Sequence, residues 1–127
     1  GAKRAIPLNV SGGFHSFLMH EAAVKMETEV KKINYQLPKV PLIMNCNAQI
    51  LDINQLPQLV RKQIESSVYW EDSIRLMIND LNINNFIEVG PGSVLTGLMK
   101  KIDPSMNSIS ISKIDDLNNL GERYGFE

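Results

Sequence analysis

The 127 residues carry thirteen basic and fourteen acidic side chains, a net charge of -1, and 43% hydrophobic residues. That balance gives no bulk attraction for nucleic acid or an acidic membrane surface, and the apolar fraction is enough for the core of one domain or a large piece of one. A single cysteine, Cys46, excludes an intrachain disulfide and a four-thiolate metal site and fits a reducing, cytoplasmic setting, while no run of about eighteen apolar residues offers a membrane helix.

The amino end, Gly1-Ala2-Lys3-Arg4-Ala5-Ile6-Pro7-Leu8, has basic residues without a long apolar stretch behind them, so it does not read as a secretory signal. Opening without methionine and running at once into strand-like residues, it suggests cleavage, truncation or missing preceding sequence. Ala5 to Val10 is a short apolar run that reads as a strand ending at the Ser11-Gly12-Gly13 turn. Phe14, Leu18, Ala22, Met26, Val30 and Ile33 then recur at helical spacing, with charged residues between them, and predict a helix over 14–33. Pro41 to Cys46 reads as a buried strand and 47–55 as a polar loop. Leu56, Leu59, Val60 and Ile64 mark a helix with Pro57 in its tolerant first turn.

A further helix begins near Tyr69 with Trp70, Ile74, Met77, Ile78 and Leu81 as its buried stripe. Phe86 to Val89 is a strand, Gly90-Pro91-Gly92 a sharp turn, and Val94, Leu95, Leu98, Met99 and Ile102 one face of the next helix. Ser108 to Ser112 alternates like a last strand, Ile114 to Leu120 reads as a short helix, and 121–127 as a frayed polar tail. Strands separated by helices argue for a layered α/β arrangement with a mainly parallel sheet and helices on its faces. Met26, Met44, Met77 and Met99 fall on core stripes and need no cofactor to explain them.

In such sheets, chemistry gathers at the strands' carboxyl ends, which singles out the turn leading to His15 and the turn leading to Ser93. A neutral imidazole at the start of a helix can act as a general base if a second group orients it and a nucleophile stands within reach. The competing reading of a lone histidine is a partly buried structural residue bonded to nearby backbone. His20, among polar neighbours, reads as solvated. Gly90-Pro91-Gly92-Ser93-Val94-Leu95 lacks the third glycine of a dinucleotide fingerprint, and Pro91 removes a backbone donor, so the turn reads as a tight strand-to-helix connection with Ser93 as helix cap. No glycine-any-serine-any-glycine nucleophile turn occurs in the chain.

Ser11-Gly12-Gly13-Phe14-His15-Ser16-Phe17-Leu18-Met19, Val40-Pro41-Leu42-Ile43-Met44-Asn45, Val68-Tyr69-Trp70 and Glu88-Val89-Gly90-Pro91-Gly92-Ser93-Val94-Leu95-Thr96-Gly97-Leu98, in this order and spacing, resemble the carboxyl-terminal part of malonyl-CoA:acyl carrier protein transacylase. The resemblance implies the carboxyl-terminal portion of a hydrolase-like fold. Residues 1–10 would be the final strand and exit of a small ferredoxin-like subdomain, and 11–127 part of the large acyltransferase subdomain.

It also implies ping-pong transfer of malonyl from coenzyme A, through a serine ester, to the phosphopantetheine thiol of acyl carrier protein in fatty acid biosynthesis, with no cofactor beyond these substrates. His15 matches the family's catalytic histidine and Gln63 the position whose backbone carbonyl orients it in place of an acid. The nucleophilic serine, the arginine that pairs with the malonyl carboxylate, and the oxyanion amides belong to the missing amino-terminal part, so this chain by itself is expected to be inactive. Gly13 stands where many members have proline, which implies a looser turn before His15. The alternative is a non-catalytic α/β module that binds an acidic carrier protein or an assembly partner through a basic rim of Lys3, Arg4, Lys31, Lys32, Lys100 and Lys101.

Overall fold

The computed structural model describes residues 5–7, 9–117 and 120. They form mixed helices and strands with a parallel ladder, an α/β arrangement, and the chain divides into two compact units, residues 1–73 and 74–127. In the first unit, helix α1 (His20–Val30) packs against helix α2 (Leu56–Glu65), with Ala23 and Val30 of α1 and Leu56 and Leu59 of α2 buried. Ala23 has no exposed surface at all, and its small side chain lets the two backbones approach.

Helix α1 starts six residues later than its apolar periodicity suggests. His15 has φ of 60°, a left-handed conformation that no helix can contain, and Ser16 caps a single 3-10 turn, Phe17–Met19, before α1 begins. Most of the stripe expected to be buried is consequently off the core face: Phe14, Leu18, Met26 and Ile33 are exposed, Val30 alone of the stripe is buried, and Ala23, outside it, is buried with it. Met26 is therefore no core methionine, whereas Met44 and Met99 are.

The strand expected over 41–46 is shorter, and its partner is unexpected. Strand β1 (Ile43–Met44) turns back through 45–48 to pair antiparallel with β2 (Gln49–Ile50), inside the segment read as a loop. Ala48 supplies the left-handed residue of the turn (φ 53°), and the Asn47 side chain accepts from the Gln49 amide at 3.2 Å. Met44 and Cys46 pack with Leu59 beneath it. Of the residues read as a strand over 5–10, those described join no ladder, Leu8 being outside the described residues.

Helix α3 (Trp70–Asn79) follows, its first four residues in the first unit and the rest in the second. The second unit is a β-α-β motif: β3 (Asn85–Val89), α4 (Val94–Ile102) and β4 (Asn107–Ile111), with the strands paired in parallel from Asn85 opposite Asn107 to Val89 opposite Ile111. Parallel neighbours need a crossover, and α4 supplies it, packing on both strands with Met99 and Ile111 buried. Residues 114–117 and 120 are helical, as their apolar spacing suggests; the rest of the expected 114–120 helix and the 121–127 tail lie outside the described residues. Among the described residues, no helix is long and apolar enough to cross a membrane.

Candidate active site

A helix ends with backbone carbonyls that have no partner inside it. At the carboxyl end of α2, the Ser66 amide takes the Lys62 carbonyl at 2.8 Å, and the next two carbonyls are both taken by His15. The His15 backbone N–H donates to the Ile64 carbonyl at 3.0 Å, and its ring Nδ1 lies 2.9 Å from the Gln63 carbonyl oxygen. A carbonyl only accepts, so this contact requires the proton on Nδ1, and in the neutral ring that leaves the Nε2 lone pair open. His15 and Gln63, 48 residues apart in sequence, are thus brought together, and it is the Gln63 backbone that makes the contact.

The positive φ of His15 is what turns both its amide and its ring toward the helix end. The turn before it is tied rather than loose: the Ser16 hydroxyl donates to the Gly13 carbonyl at 2.6 Å and accepts from the Leu18 amide at 3.3 Å. Leu18 lies over Gly13, where an added Cβ would stand 2.8 Å from Leu18 Cδ1, so the departure from proline at this position is matched by close packing. His15 is exposed and lines an open groove of about 470 Å³ whose other walls include Phe14, Met19, Ala22, Met26 and Val60. The apolar stripe of α1 that leaves the core lines this groove.

His20 is not simply solvated. Its Nδ1–H donates to Glu65 Oε2 at 2.6 Å, its ring stacks on Phe17 with centroids 5.1 Å apart, and Arg61 Nε reaches the other Glu65 oxygen at 3.0 Å. Arg61 also meets Glu27, which Lys31 holds from the next turn of α1. The His20 hydrogen bond, with help from Arg61, keeps the Glu65 carboxyl below the usual glutamate range. The Arg61–Glu65 spacing of four was readable in sequence; the link to His20, 45 residues away, was not. Lys31 and Lys32, counted above as basic rim, are engaged with Glu27 and Glu29, and Lys3 and Arg4 lie outside the described residues.

At the second turn, Gly90 and Gly92 have φ of 141° and 93°, which glycine alone adopts without strain. Ser93 occupies the cap position of α4, but its hydroxyl makes no capping bond. Glu88 does that work from strand β3. Its carboxylate accepts from the amides of Leu95 at 3.1 Å and Thr96 at 2.8 Å and from the Thr96 hydroxyl at 2.7 Å. The amides that a phosphate would seek at this helix start are already occupied by a carboxylate.

These bonds, that of the Thr96 amide first, hold the Glu88 carboxyl below its ordinary value. A carboxyl lowered on folding adds stability that is present above its unfolded pKa and lost as pH falls through the folded one. The stability of Glu88→Gln should therefore fall less steeply in acid than that of the parent chain, in thermal melts taken from neutral pH to below the usual glutamate range. Parallel curves would remove Glu88 from the titration.

Cys46 is buried, donates to the Leu59 carbonyl at 3.6 Å, and has its thiol pushed up by burial, away from the thiolate that a nucleophile needs. Among the described residues, no group of three or more histidine, cysteine or acidic side chains is placed to hold a metal ion.

No family model matches the chain. It is 40% identical over 113 residues to malonyl CoA-acyl carrier protein transacylase of Bacillus subtilis (strain 168), covering 88% of this chain and 35% of that protein. To the same enzyme of Staphylococcus aureus (strain COL) it is 37% identical over 123 residues, covering 96% of this chain and 40% of the relative. The solved structure of MCAT from Streptococcus pneumoniae superposes on 97% of the chain with a TM-score of 0.90 and 36% identity, again over 40% of that structure. The chain matches part of malonyl CoA-acyl carrier protein transacylase.

It spans about 40% or less of the length of these transacylases. The malonyl-transacylase PlMCAT, solved in complex with a type II PKS acyl-carrier protein, matches 97% of the chain with a TM-score of 0.89 and 30% identity. The likeness to the transacylases therefore holds in sequence and in three dimensions over nearly the whole chain.

Proposed function

We propose that the chain is the carboxyl-terminal part of a malonyl-CoA:acyl carrier protein transacylase acting in the cytoplasm in fatty acid biosynthesis, and that it supplies the general base. Residues 1–10 would leave the small subdomain and 11–127 complete the large one. The observation that carries this reading is the Nδ1–H bond from His15 to the Gln63 carbonyl, which leaves Nε2 as a proton acceptor on a side chain lining an open groove. The carbonyl does here what a carboxylate does in a serine-histidine-acid triad: it selects the tautomer and fixes the ring.

In the proposed cycle, Nε2 takes the proton of a serine hydroxyl contributed by the amino-terminal part, as that oxygen attacks the malonyl thioester. Collapse of the tetrahedral adduct expels coenzyme A, whose sulfur receives the proton from the imidazolium. The malonyl group is left as a serine ester. The phosphopantetheine thiol of acyl carrier protein then gives its proton to Nε2 and attacks the ester. The serine oxygen leaves and recovers the proton. No cofactor enters beyond the thioester donor and the thiol acceptor.

Mixing this chain with the amino-terminal portion of a transacylase relative should restore malonyl transfer from coenzyme A to the carrier, while the chain alone should give only background thioester exchange. Turnover by the isolated chain, or a mixture no more active than the amino-terminal portion by itself, would overturn the proposal.

A further inference from the structure

His15 and His20 bound one six-residue stretch, and both of its ends are tied to three consecutive residues that close α2. His15 engages the carbonyls of Gln63 and Ile64, and His20 engages the side chain of Glu65. Glu65 is gripped a second time by Arg61 from the preceding turn of its own helix, and its side chain is only 15% exposed.

Two features make this second tie matter to His15. A residue with a β-carbon keeps φ near 60° only where its surroundings over-determine it, and His15 itself is exposed, so its two hydrogen bonds stand open to competition from water. The carbonyls it uses lie in the last turn of α2, where helices fray. The His20–Glu65–Arg61 contact removes both freedoms. It anchors the far end of the stretch that carries His15, and it holds the last turn of α2 in register with that stretch.

We propose that Glu65, clipped between His20 and Arg61, is a positioning residue that keeps the Gln63 carbonyl on His15 Nδ1 and so holds the His15 ring in its Nδ1–H form. Its value for catalysis rests on the reading of His15 as the base, but the positioning itself can be measured without any transfer.

The test is a proton–nitrogen correlation spectrum of the imidazole groups in the nitrogen-15-labelled 127-residue chain, at a pH where the ring is neutral. In the parent chain His15 should be protonated at Nδ1 alone. His20→Ala and Glu65→Ala should each lose that single form and show both tautomers in exchange, while His20→Gln, whose amide can still donate to Glu65, should recover it. Either removal variant suffices if it folds.

A His15 that stays in the Nδ1–H form in the removal variants, a His20→Gln that behaves like His20→Ala, or a parent chain without the Nδ1–H form would each overturn the proposal. So would loss of folding in both removal variants while His20→Gln folds, which would make the clip a matter of stability alone. A tautomer that responds as expected, together with a failed transfer assay, would support the positioning and sink the role of His15 as base. The reverse combination would do the opposite.

Discussion

Replacing His15 with alanine in an enzyme reassembled from this chain and an amino-terminal transacylase portion should lower malonyl transfer by about 10²–10⁴-fold, the range that a positioned general base contributes. Gln63→Ala should leave transfer nearly unchanged, because the atom that orients His15 is the backbone carbonyl, which alanine keeps. The contrast between the two variants is the informative result. It separates orientation by backbone from orientation by side chain, and both from a histidine that merely caps a helix. Initial rates of malonyl-carrier formation at saturating malonyl-CoA would decide it. A His15→Ala enzyme within a few-fold of the parent would show that the proton goes elsewhere.

Met99→Ala should destabilise the second unit by about 2–5 kcal/mol, the usual cost of emptying a large buried apolar site. Met99 and Ile74 are each 2% exposed, the largest fully buried side chains among the described residues, and Met99 lies on α4, which packs on both strands of the β3–β4 ladder that it connects. Because whole domains are stable by only about 5–15 kcal/mol, this loss is a large fraction of the total. Met99→Leu, which keeps the volume, should cost under about 1.5 kcal/mol. Urea unfolding followed by circular dichroism would measure both, and equal midpoints for Met99→Ala and the parent would mean that the site collapses without penalty.

Where apolar residues recur with one period, sequence and structure coincide. Helix α4 spans 94–102 and α2 spans 56–65, close to their apolar stripes, β3 lies where the apolar run Phe86 to Val89 stands, and β4 where serine and isoleucine alternate. The departures have separate physical causes. A single residue at φ of 60° delays α1, and nothing in the composition of Phe14-His15-Ser16 requires that conformation, since the helix end that rewards it lies some fifty residues away. The β1–β2 hairpin turns on Ala48 in a left-handed conformation without the asparagine-glycine pair that usually advertises such a turn. Glu88 displaces Ser93 as the cap of α4 because a carboxylate on the preceding strand reaches two amides and a hydroxyl at once, and the serine side chain reaches none of them.

The order and chemistry of the motifs, the α/β alternation and the placing of His15 before a helix need only local spacing and residue type, and so are properties of the amino-acid sequence alone. The pairing of His15 with Gln63 came from the resemblance to the transacylases. That the Gln63 carbonyl lies 2.9 Å from His15 Nδ1, that Glu65 faces His20, and that one side of α1 lines a groove instead of the core were decided by the tertiary structure. Each depends on the unpaired carbonyls at the end of α2 meeting a loop nearly fifty residues distant. No local preference encodes that encounter; it exists only once α1 and α2 have packed.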